Sequence, residues 1–160
     1  GSKIEGCQLI LEIKPHRNEV RDKRIADMCV ELVRTLGLEK KTEYISFSKV
    51  VCQRLHEITP DSKVAYLNGE LAPAQIKEMG LTGIDYYEKV FVKHPEWLQE
   101  AKQLGVEGNV WTVDGEENLR HHVNLEGVDL ITTNDPEILK GILAEQEAAK
   151  QPASKKSKKK

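Results

Sequence analysis

The stretch that decides the fold is Leu9-Ile10-Leu11-Glu12-Ile13-Lys14, a near-continuous apolar run that ends in two charges and is closed by Pro15. Such a run is typical of a parallel strand that is covered on both faces, because a half-exposed strand alternates apolar and polar residues. An amphipathic helix is predicted directly after it, from Val20 to Leu36, with Gly37 as its stop. The apolar stripe of this helix consists of Ile25, Met28, Cys29, Leu32, Val33 and Leu36.

The same couplet of strand and helix repeats along the chain. Further strands are predicted at residues 43–47, 63–67, 83–87, 109–113 and 128–132. The further helices are predicted between Ser48 and Pro60, from Pro73 to Met79, with Pro95 in a first turn, from Glu116 to Val123 and from Pro136 to about Ala149. Units of about 20 to 30 residues leave room only for right-handed crossovers between strands. The sequence therefore predicts an α/β fold with six parallel strands.

Two architectures accommodate six parallel units. An open doubly wound sheet usually carries a Gly-rich turn after its first strand, but the turn here is Lys14-Pro15-His16-Arg17-Asn18. A (β/α)8 barrel needs eight units and typically about 250 residues. The chain supplies six of those eight units.

Composition excludes several classes of protein. With 39% hydrophobic and 31% charged residues, the chain belongs among soluble globular proteins, and no stretch approaches the roughly 18 apolar residues of a transmembrane helix. The formal net charge is −2 although five lysines lie among residues 155–160, so the rest of the chain is acidic. An acidic body argues against a nucleic-acid groove. We expect residues 8–149 to fold and residues 150–160 to form a disordered Lys-rich tail, for which a nucleic-acid tether is the weaker interpretation.

The sharpest local feature is the Glu12-Ile13-Lys14 triplet at the carboxyl end of the first strand. Residues two apart on a strand point to the same side, so this carboxylate and this ammonium project together. A structural ion pair would satisfy both charges. Equally, a carboxylate beside a lysine suits a divalent cation beside a phosphate, at the strand end where parallel α/β folds bind ligands. The residues alone leave these two hypotheses open.

Other candidate site residues are weaker. Trp111 lies within the strand predicted at residues 109–113, where it either fills the core or floors a ligand pocket. The five histidines follow strands or lie on predicted helices, and no Ser-His-Asp or Cys-His arrangement can be assembled from them. We therefore predict no catalytic acid or base in this chain.

Four blocks together resemble one enzyme family. They are Leu11-Glu12-Ile13-Lys14, Ile45-Ser46-Phe47, Asn109-Val110-Trp111-Thr112-Val113-Asp114 and Gly127-Val128-Asp129-Leu130-Ile131-Thr132-Thr133-Asn134-Asp135-Pro136. Their order and spacing are similar to those in the carboxyl-terminal two-thirds of the glycerophosphodiester phosphodiesterases, over about residues 8–145. The resemblance implies a partial TIM barrel from a hydrolase that converts glycerophosphodiesters to glycerol 3-phosphate and an alcohol.

The resemblance also implies roles for single residues. Glu12 matches an acidic ligand of a divalent metal ion, often Mg²⁺ or Ca²⁺, and Lys14 matches a contact to the substrate phosphate. Trp111 matches an aromatic residue on the glycerol side of the pocket, and Phe47 a residue that shapes the pocket. Asn134-Asp135-Pro136 matches a helix cap.

The chain departs from the family at its most conspicuous motifs. The family's His-Arg-Gly strand, its Glu-x-Asp strand and its His-Asp motif do not occur in this sequence. The His16-Arg17 pair is not the first of these motifs, because Asn18 follows it instead of glycine. We therefore expect the chain alone to be inactive, and a non-catalytic phosphate-ligand-binding or assembly module is the alternative. An arc of six strands exposes two edges, which predicts a homo-oligomer.

Overall fold

The strands and helices alternate along the chain in the predicted order. A computed structural model of the protein describes residues 6–150. The strands are β1 (Leu9–Glu12), β2 (Thr42–Ser46), β3 (Val64–Tyr66), β4 (Gly83–Tyr87), β5 (Glu107–Trp111) and β6 (Leu130–Ile131). The α-helices are α1 (Glu19–Thr35), α2 (Lys49–Ile58), α3 (Pro73–Glu78), α4 (Glu88–Lys93), α5 (Trp97–Leu104), α6 (Glu116–Val123) and α7 (Pro136–Lys150).

The six strands form one sheet in the order β1-β2-β3-β4-β5-β6. Every neighbouring pair is parallel. A doubly wound sheet reverses its strand order, whereas a barrel wall keeps the order of the sequence. The expectation of a partial (β/α)8 barrel with six parallel units is therefore confirmed.

Several elements differ from the sequence-based expectation, and three of these differences are the following. The fifth strand begins at Glu107, two residues early, because Glu107 pairs with Gly83 of β4 and its carboxylate is neutralised by Lys63. Helix α4 was not predicted, and it buries one side chain, Phe91. The following helix begins at Trp97, so Pro95 precedes it instead of lying in its first turn.

The helices pack against the outer face of the sheet and bury its large side chains there. Tyr44, Tyr66 and Tyr86 are almost fully buried, together with Ile84 and Val110. The Tyr86 hydroxyl donates a hydrogen bond of 2.8 Å to the carbonyl of Leu71, so the polar end of this ring is satisfied inside the core. The hydrophobic core therefore lies between sheet and helices.

Helix α1 begins at an asparagine cap, Asn18, whose side chain accepts the N–H of Arg21. Its buried face consists of Asp22, Ala26, Val30 and Val33. The predicted apolar stripe was therefore partly wrong. Val33 is buried, but Met28, Leu32 and Leu36 are 60%, 59% and 59% exposed.

The predicted tail lies largely outside the described residues, since the description ends at Lys150, the last residue of α7. Within the described range, no helix combines the length and the apolar character that crossing a bilayer requires.

Candidate active site at the carboxyl ends of the strands

The concave face of the sheet carries polar side chains, in contrast to the outer face. Alternation along the strands directs one set of side chains into the lumen of the partial barrel. A cavity of about 40 Å³ there is lined by Ile10, Glu43, Tyr44, Ile45, Lys63, Ala65, Thr82, Asp85, Glu107, Asn109, Leu130 and Thr132.

The floor of this lumen is an ion cluster. Lys63 Nζ lies 2.6 Å from Glu107 Oε2 and 3.2 Å from Glu43 Oε1. Asn109 Nδ2 donates a 3.0 Å hydrogen bond to Glu107 Oε1. The hydrogen bond to Glu107 is the main reason that the pKa of Lys63 is raised. One cation thus joins two carboxylates from different strands.

Above the floor lies Asp85, on β4. It is 5% exposed, and its Oδ1 and the Oδ1 of Asn109 are buried without a hydrogen-bond partner among the described residues. Burial, together with the nearby charges of Glu107 and Glu12, raises the pKa of the Asp85 carboxyl to about 6. Glu12 therefore lies close enough to this part of the lumen to act on Asp85.

Glu12 and Lys14 are both exposed, while Ile13 between them is buried. Within residues 6–150, neither charged side chain forms a hydrogen bond or an ion pair. The structural ion pair considered for these two residues is therefore not formed. Both charges remain available to a ligand at the carboxyl end of β1.

Three aromatic rings meet at the carboxyl ends of their strands. The rings of Phe47 and Trp111 lie 5.9 Å apart, edge to face, and the ring of Tyr87 lies 5.3 Å from Trp111. Trp111 Nε1 donates a 2.8 Å hydrogen bond to the carbonyl of Asp85, which fixes the indole. Trp111 is half-buried near the carboxyl end of β5 and does not belong to the buried core, and its role in lining a ligand pocket stays a prediction. We refer to Phe47, Tyr87 and Trp111 as the aromatic patch.

Tyr87 and Asp22 were not among the predicted site residues. Tyr87 could have been found from its position, because it is the last residue of the strand predicted at residues 83–87, and ligands of parallel barrels bind at that end of the strands. Asp22 is buried, accepts the N–H of His16 at 2.8 Å and accepts the hydroxyl of Ser48 at 3.3 Å. It thereby joins the loop that follows Lys14 to the loop that follows Phe47.

The loops after β5 and β6 are also joined. Asp114 accepts hydrogen bonds from the backbone N–H of Asn134, at 2.7 Å, and from its side-chain amide, at 2.9 Å. The Thr133 hydroxyl adds a third, at 3.3 Å. The carboxylate of Asp135 accepts the N–H of Gly115, so it links the two loops in addition to preceding α7.

Three of the described histidines contact neighbouring residues within the fold. His94 stacks on Trp97, 4.1 Å between ring centroids, and His122 Nδ1 lies 2.9 Å from the carbonyl of Asn118. His16 Nδ1 lies 3.8 Å from Asp22, in the loop after β1. Within residues 6–150, no group of three or more His, Cys, Asp or Glu side chains is placed to hold a metal ion. Glu12 offers one carboxylate, so these residues do not by themselves fit a complete metal site.

Comparison of sequences gave no match to a family model or to a curated protein. Solved structures do match. A glycerophosphodiester phosphodiesterase from Parabacteroides distasonis ATCC 8503 is 40% identical, with a TM-score of 0.86, and the match covers 89% of this chain and 60% of that one. The chain thus spans little more than half the length of this structure.

Two more distant structures share the fold. A glycerophosphodiester phosphodiesterase from Agrobacterium tumefaciens str. C58 is 20% identical, with a TM-score of 0.64 over 84% of this chain and 55% of that one. An Oleispira antarctica phosphodiesterase in complex with the product sn-glycerol-3-phosphate is 15% identical, with a TM-score of 0.68 over 86% of this chain and 55% of that one. The resemblance of this chain to the glycerophosphodiester phosphodiesterases is therefore confirmed for the barrel wall that its residues build.

Proposed function

We propose that this chain carries the phosphate-binding wall of a metal-dependent glycerophosphodiester phosphodiesterase, which hydrolyses glycerophosphodiesters to glycerol 3-phosphate and an alcohol. The observation that carries the proposal is that Glu12, at the carboxyl end of β1, and Lys14, two residues further on, form no hydrogen bond or ion pair within residues 6–150, while the aromatic patch lies at the carboxyl ends of β2, β4 and β5. A carboxylate, an ammonium group and an apolar surface at the same end of the barrel suit the binding of a phosphodiester that has a small carbon skeleton. The sn-glycerol-3-phosphate bound to the Oleispira antarctica phosphodiesterase supports the same class of ligand.

Each residue has a separate role in this proposal. Lys14 binds a phosphate oxygen and stabilises the negative charge that builds up during attack at phosphorus. Trp111 and Phe47 contact the glycerol carbons, because flat apolar rings favour the C–H faces of such a group. Lys14, unlike Lys63, has no carboxylate partner among the described residues that would neutralise it.

Glu12 is proposed as one ligand of a divalent ion, Mg²⁺ or Ca²⁺, both of which prefer carboxylate oxygens. Such an ion, when bound, polarises a phosphoryl oxygen as a Lewis acid. Because residues 6–150 contain no complete ligand set, the remaining donors must come from other residues. The same holds for the acid and the base, so we expect negligible hydrolysis by this chain alone.

Binding of sn-glycerol 3-phosphate to the 160-residue chain tests the proposal. We expect chemical-shift changes at Trp111 and at the residues after β1 in NMR titrations. The Lys14→Met variant should lose roughly ten- to a hundred-fold in affinity, because a charge-assisted contact to phosphate is removed. The matched control is Lys93→Met, since Lys93 is an exposed lysine on α4. Equal affinity in both variants, or shifts confined to other regions, would contradict the proposal.

A second candidate function is a non-catalytic module that binds a phosphorylated ligand or takes part in assembly. The observation that favours it is the shortage of acid, base and metal ligands among the described residues. Hydrolysis of glycerophosphoethanolamine discriminates between the two functions. Turnover that Glu12→Gln abolishes would exclude the module and would also contradict our expectation that the chain alone is inactive.

A homo-oligomer remains a prediction for the chain taken alone. Strand β1 pairs only with β2 and β6 only with β5 within the described residues, so each leaves one edge unpaired. Exposed strand edges favour association between chains. Static light scattering on the purified chain tests this, and a monodisperse monomer that melts cooperatively would contradict it.

A further inference from the structure

Two neighbouring side chains in the lumen each bury an oxygen atom that lacks a donor. Asp85 of β4 pairs in register with Asn109 of β5, and both side chains line the lumen cavity. They are 5% and 6% exposed, and the Oδ1 atom of each has no hydrogen-bond partner among the described residues. A buried acceptor without a donor costs free energy, so both atoms require a positively polarised partner.

The orientation of the Asn109 amide is fixed by its nitrogen. Nδ2 donates a 3.0 Å hydrogen bond to Glu107 Oε1, two residues earlier on the same strand. Turning the amide over would place its oxygen against this carboxylate, so Oδ1 is the atom that is left without a donor. The two unpartnered atoms are therefore both acceptors, and neither satisfies the other while Asp85 is ionised.

The carboxylates that line the cavity outnumber its ammonium groups. Glu43, Asp85 and Glu107 line it together with Lys63, and Lys63 binds Glu43 and Glu107. Within residues 6–150, no lysine, arginine or histidine forms an ion pair with Asp85. A water molecule would donate hydrogen bonds to both oxygen atoms but would leave the charge of Asp85 uncompensated. A cation would satisfy the two oxygen atoms and the charge together.

The size of the cavity and its oxygen atoms favour a singly charged ion. Mg²⁺ keeps several of its waters and Ca²⁺ takes about six to eight oxygen ligands, whereas the cavity measures about 40 Å³. Among the residues that the structure describes, no three His, Cys, Asp or Glu side chains are grouped to hold a metal ion. One carboxylate and one amide oxygen repay the smaller dehydration cost of a monovalent ion more easily than that of a divalent ion.

We propose that Asp85 Oδ1 and Asn109 Oδ1 bind an alkali-metal cation, Na⁺ or K⁺, in the lumen cavity. The carboxylate supplies the compensating charge, and the amide supplies a second oxygen from the neighbouring strand. The site is distinct from the proposed phosphate site, because Glu12 and Lys14 belong to β1 and to the loop after it, whereas Asp85 and Asn109 belong to β4 and β5. The bound ion stabilises the sheet and takes no part in hydrolysis.

Thermal melts of the 160-residue chain at pH 8 test the proposal, because the pKa of Asp85, about 6, leaves its carboxylate ionised there. The melts compare choline chloride with NaCl at equal ionic strength, so that general screening of charges is the same. We expect NaCl to raise the melting temperature by about 2–4 °C. Asp85→Asn should show less than about a quarter of this rise, because its amide is uncharged and donates an N–H to Asn109 Oδ1 itself.

The matched control is Asp61→Asn, which makes the same chemical change at an exposed carboxylate and should keep the full rise. Sodium NMR measures binding without reference to stability. The parent chain and Asp61→Asn should broaden the sodium signal, and Asp85→Asn should reduce this broadening at least about fivefold. In choline chloride at pH 8, Asp85→Asn should be the more stable protein, and added NaCl should narrow the difference from the parent. Its melt in choline chloride also verifies that the variant folds.

Equal melting temperatures of the parent in choline chloride, NaCl and KCl would overturn the proposal, as would a rise or a broadening that Asp85→Asn retains in full. A rise in MgCl₂ without one in NaCl or KCl would overturn it too, because the lumen would then hold a divalent ion. The inference does not depend on the proposed function: a chain that binds Na⁺ but not sn-glycerol 3-phosphate would support the lumen site and contradict the phosphate-binding wall.

Discussion

The two faces of the sheet are formed by the same strands but differ in the polarity of their side chains. On the outer face, Tyr44, Tyr66 and Tyr86 pack against helices, and the hydroxyl of Tyr86 is paired with the carbonyl of Leu71. On the lumen face, Lys63 and Asp85 belong to a polar cluster in which two oxygen atoms have no hydrogen-bond partner among the described residues.

This difference indicates which face of the sheet stabilises the fold and which face carries the candidate site. A core without unsatisfied polar groups contributes most of the folding free energy, whereas unpaired buried polar atoms cost free energy and persist where a site requires them. Substitutions on the outer face should therefore lower stability the most, whereas substitutions in the lumen should lower it less or even raise it.

The largest effect is expected at the outer face. Tyr86→Ala should lower the free energy of unfolding by about 3–5 kcal/mol, because it empties a site between Tyr66, Phe91 and Trp97. Tyr86→Phe keeps the ring and removes one hydrogen bond, so it should cost about 1 kcal/mol. Urea unfolding followed by circular dichroism measures both. Similar losses in the two variants would show that the hydrogen bond, rather than the packed ring, dominates.

Asp85→Asn should act in the opposite direction. The pKa of Asp85 in the folded protein, about 6, exceeds its ordinary value of 3.8, so the folded state binds more protons between these pH values. Stability of the parent chain should therefore fall as pH rises from about 4 to about 6 and stay level above, a total of about 3 kcal/mol.

The asparagine variant should lack this fall and be the more stable protein at pH 8, with the difference vanishing near pH 3.5. Urea unfolding across this pH range measures it, with Asp61→Asn, an exposed carboxylate, as the control. A variant that is less stable than the parent at pH 8 would mean that the Asp85 carboxylate is stabilised by a contact other than those described.

Lys63→Met should have a smaller effect. It leaves Glu43 and Glu107 facing each other without a cation, and we expect a loss of about 1 kcal/mol at low salt. The loss should shrink at high salt. Lys102→Met is the control, since Lys102 and Glu126 form a fully exposed pair. If both variants lose the same free energy of unfolding, the ion pairs in the lumen stabilise the protein no more than an ion pair on the surface does.

The smallest effect on stability is expected at the proposed site. Lys14→Met should change the free energy of unfolding by less than about 0.5 kcal/mol, because its ammonium forms no hydrogen bond or ion pair with another described residue. Thermal melts of the unliganded chain measure this. A loss above about 1 kcal/mol would reveal a structural role for Lys14 and would argue against a charge held free for a ligand.

The α/β class and the six parallel strands could be predicted because they follow from local patterns, whereas the strand order of a barrel wall was expected from the family resemblance. The apolar run before Glu12 and the periodicity after it are properties of consecutive residues, and right-handed crossovers then determine the sheet. The helix α4 escaped prediction because it buries only Phe91, so its periodicity is weak.

The remaining features depend on residues that are distant in the sequence. The cluster of Lys63, Glu43 and Glu107 joins three elements, and no local pattern indicates that a charged residue at a strand end has partners on two other strands. Periodicity likewise showed that Met28 and Leu32 lie on an apolar side of α1, but not whether the described chain covers that side. Glu12 and Lys14 were found as candidates because their spacing alone places them on one side of a strand.

The hydrogen bonds of Asp114 to the loop after β6 have a consequence for ligand affinity. Three donors from Thr133 and Asn134 hold this carboxylate, and the backbone hydrogen bond from Asn134 is the main reason that its pKa is lowered. The connection therefore persists in mildly acidic solution. A ligand that binds against Trp111 would therefore contact loops that are already ordered in the folded protein. Little of its binding free energy would be spent on ordering these loops.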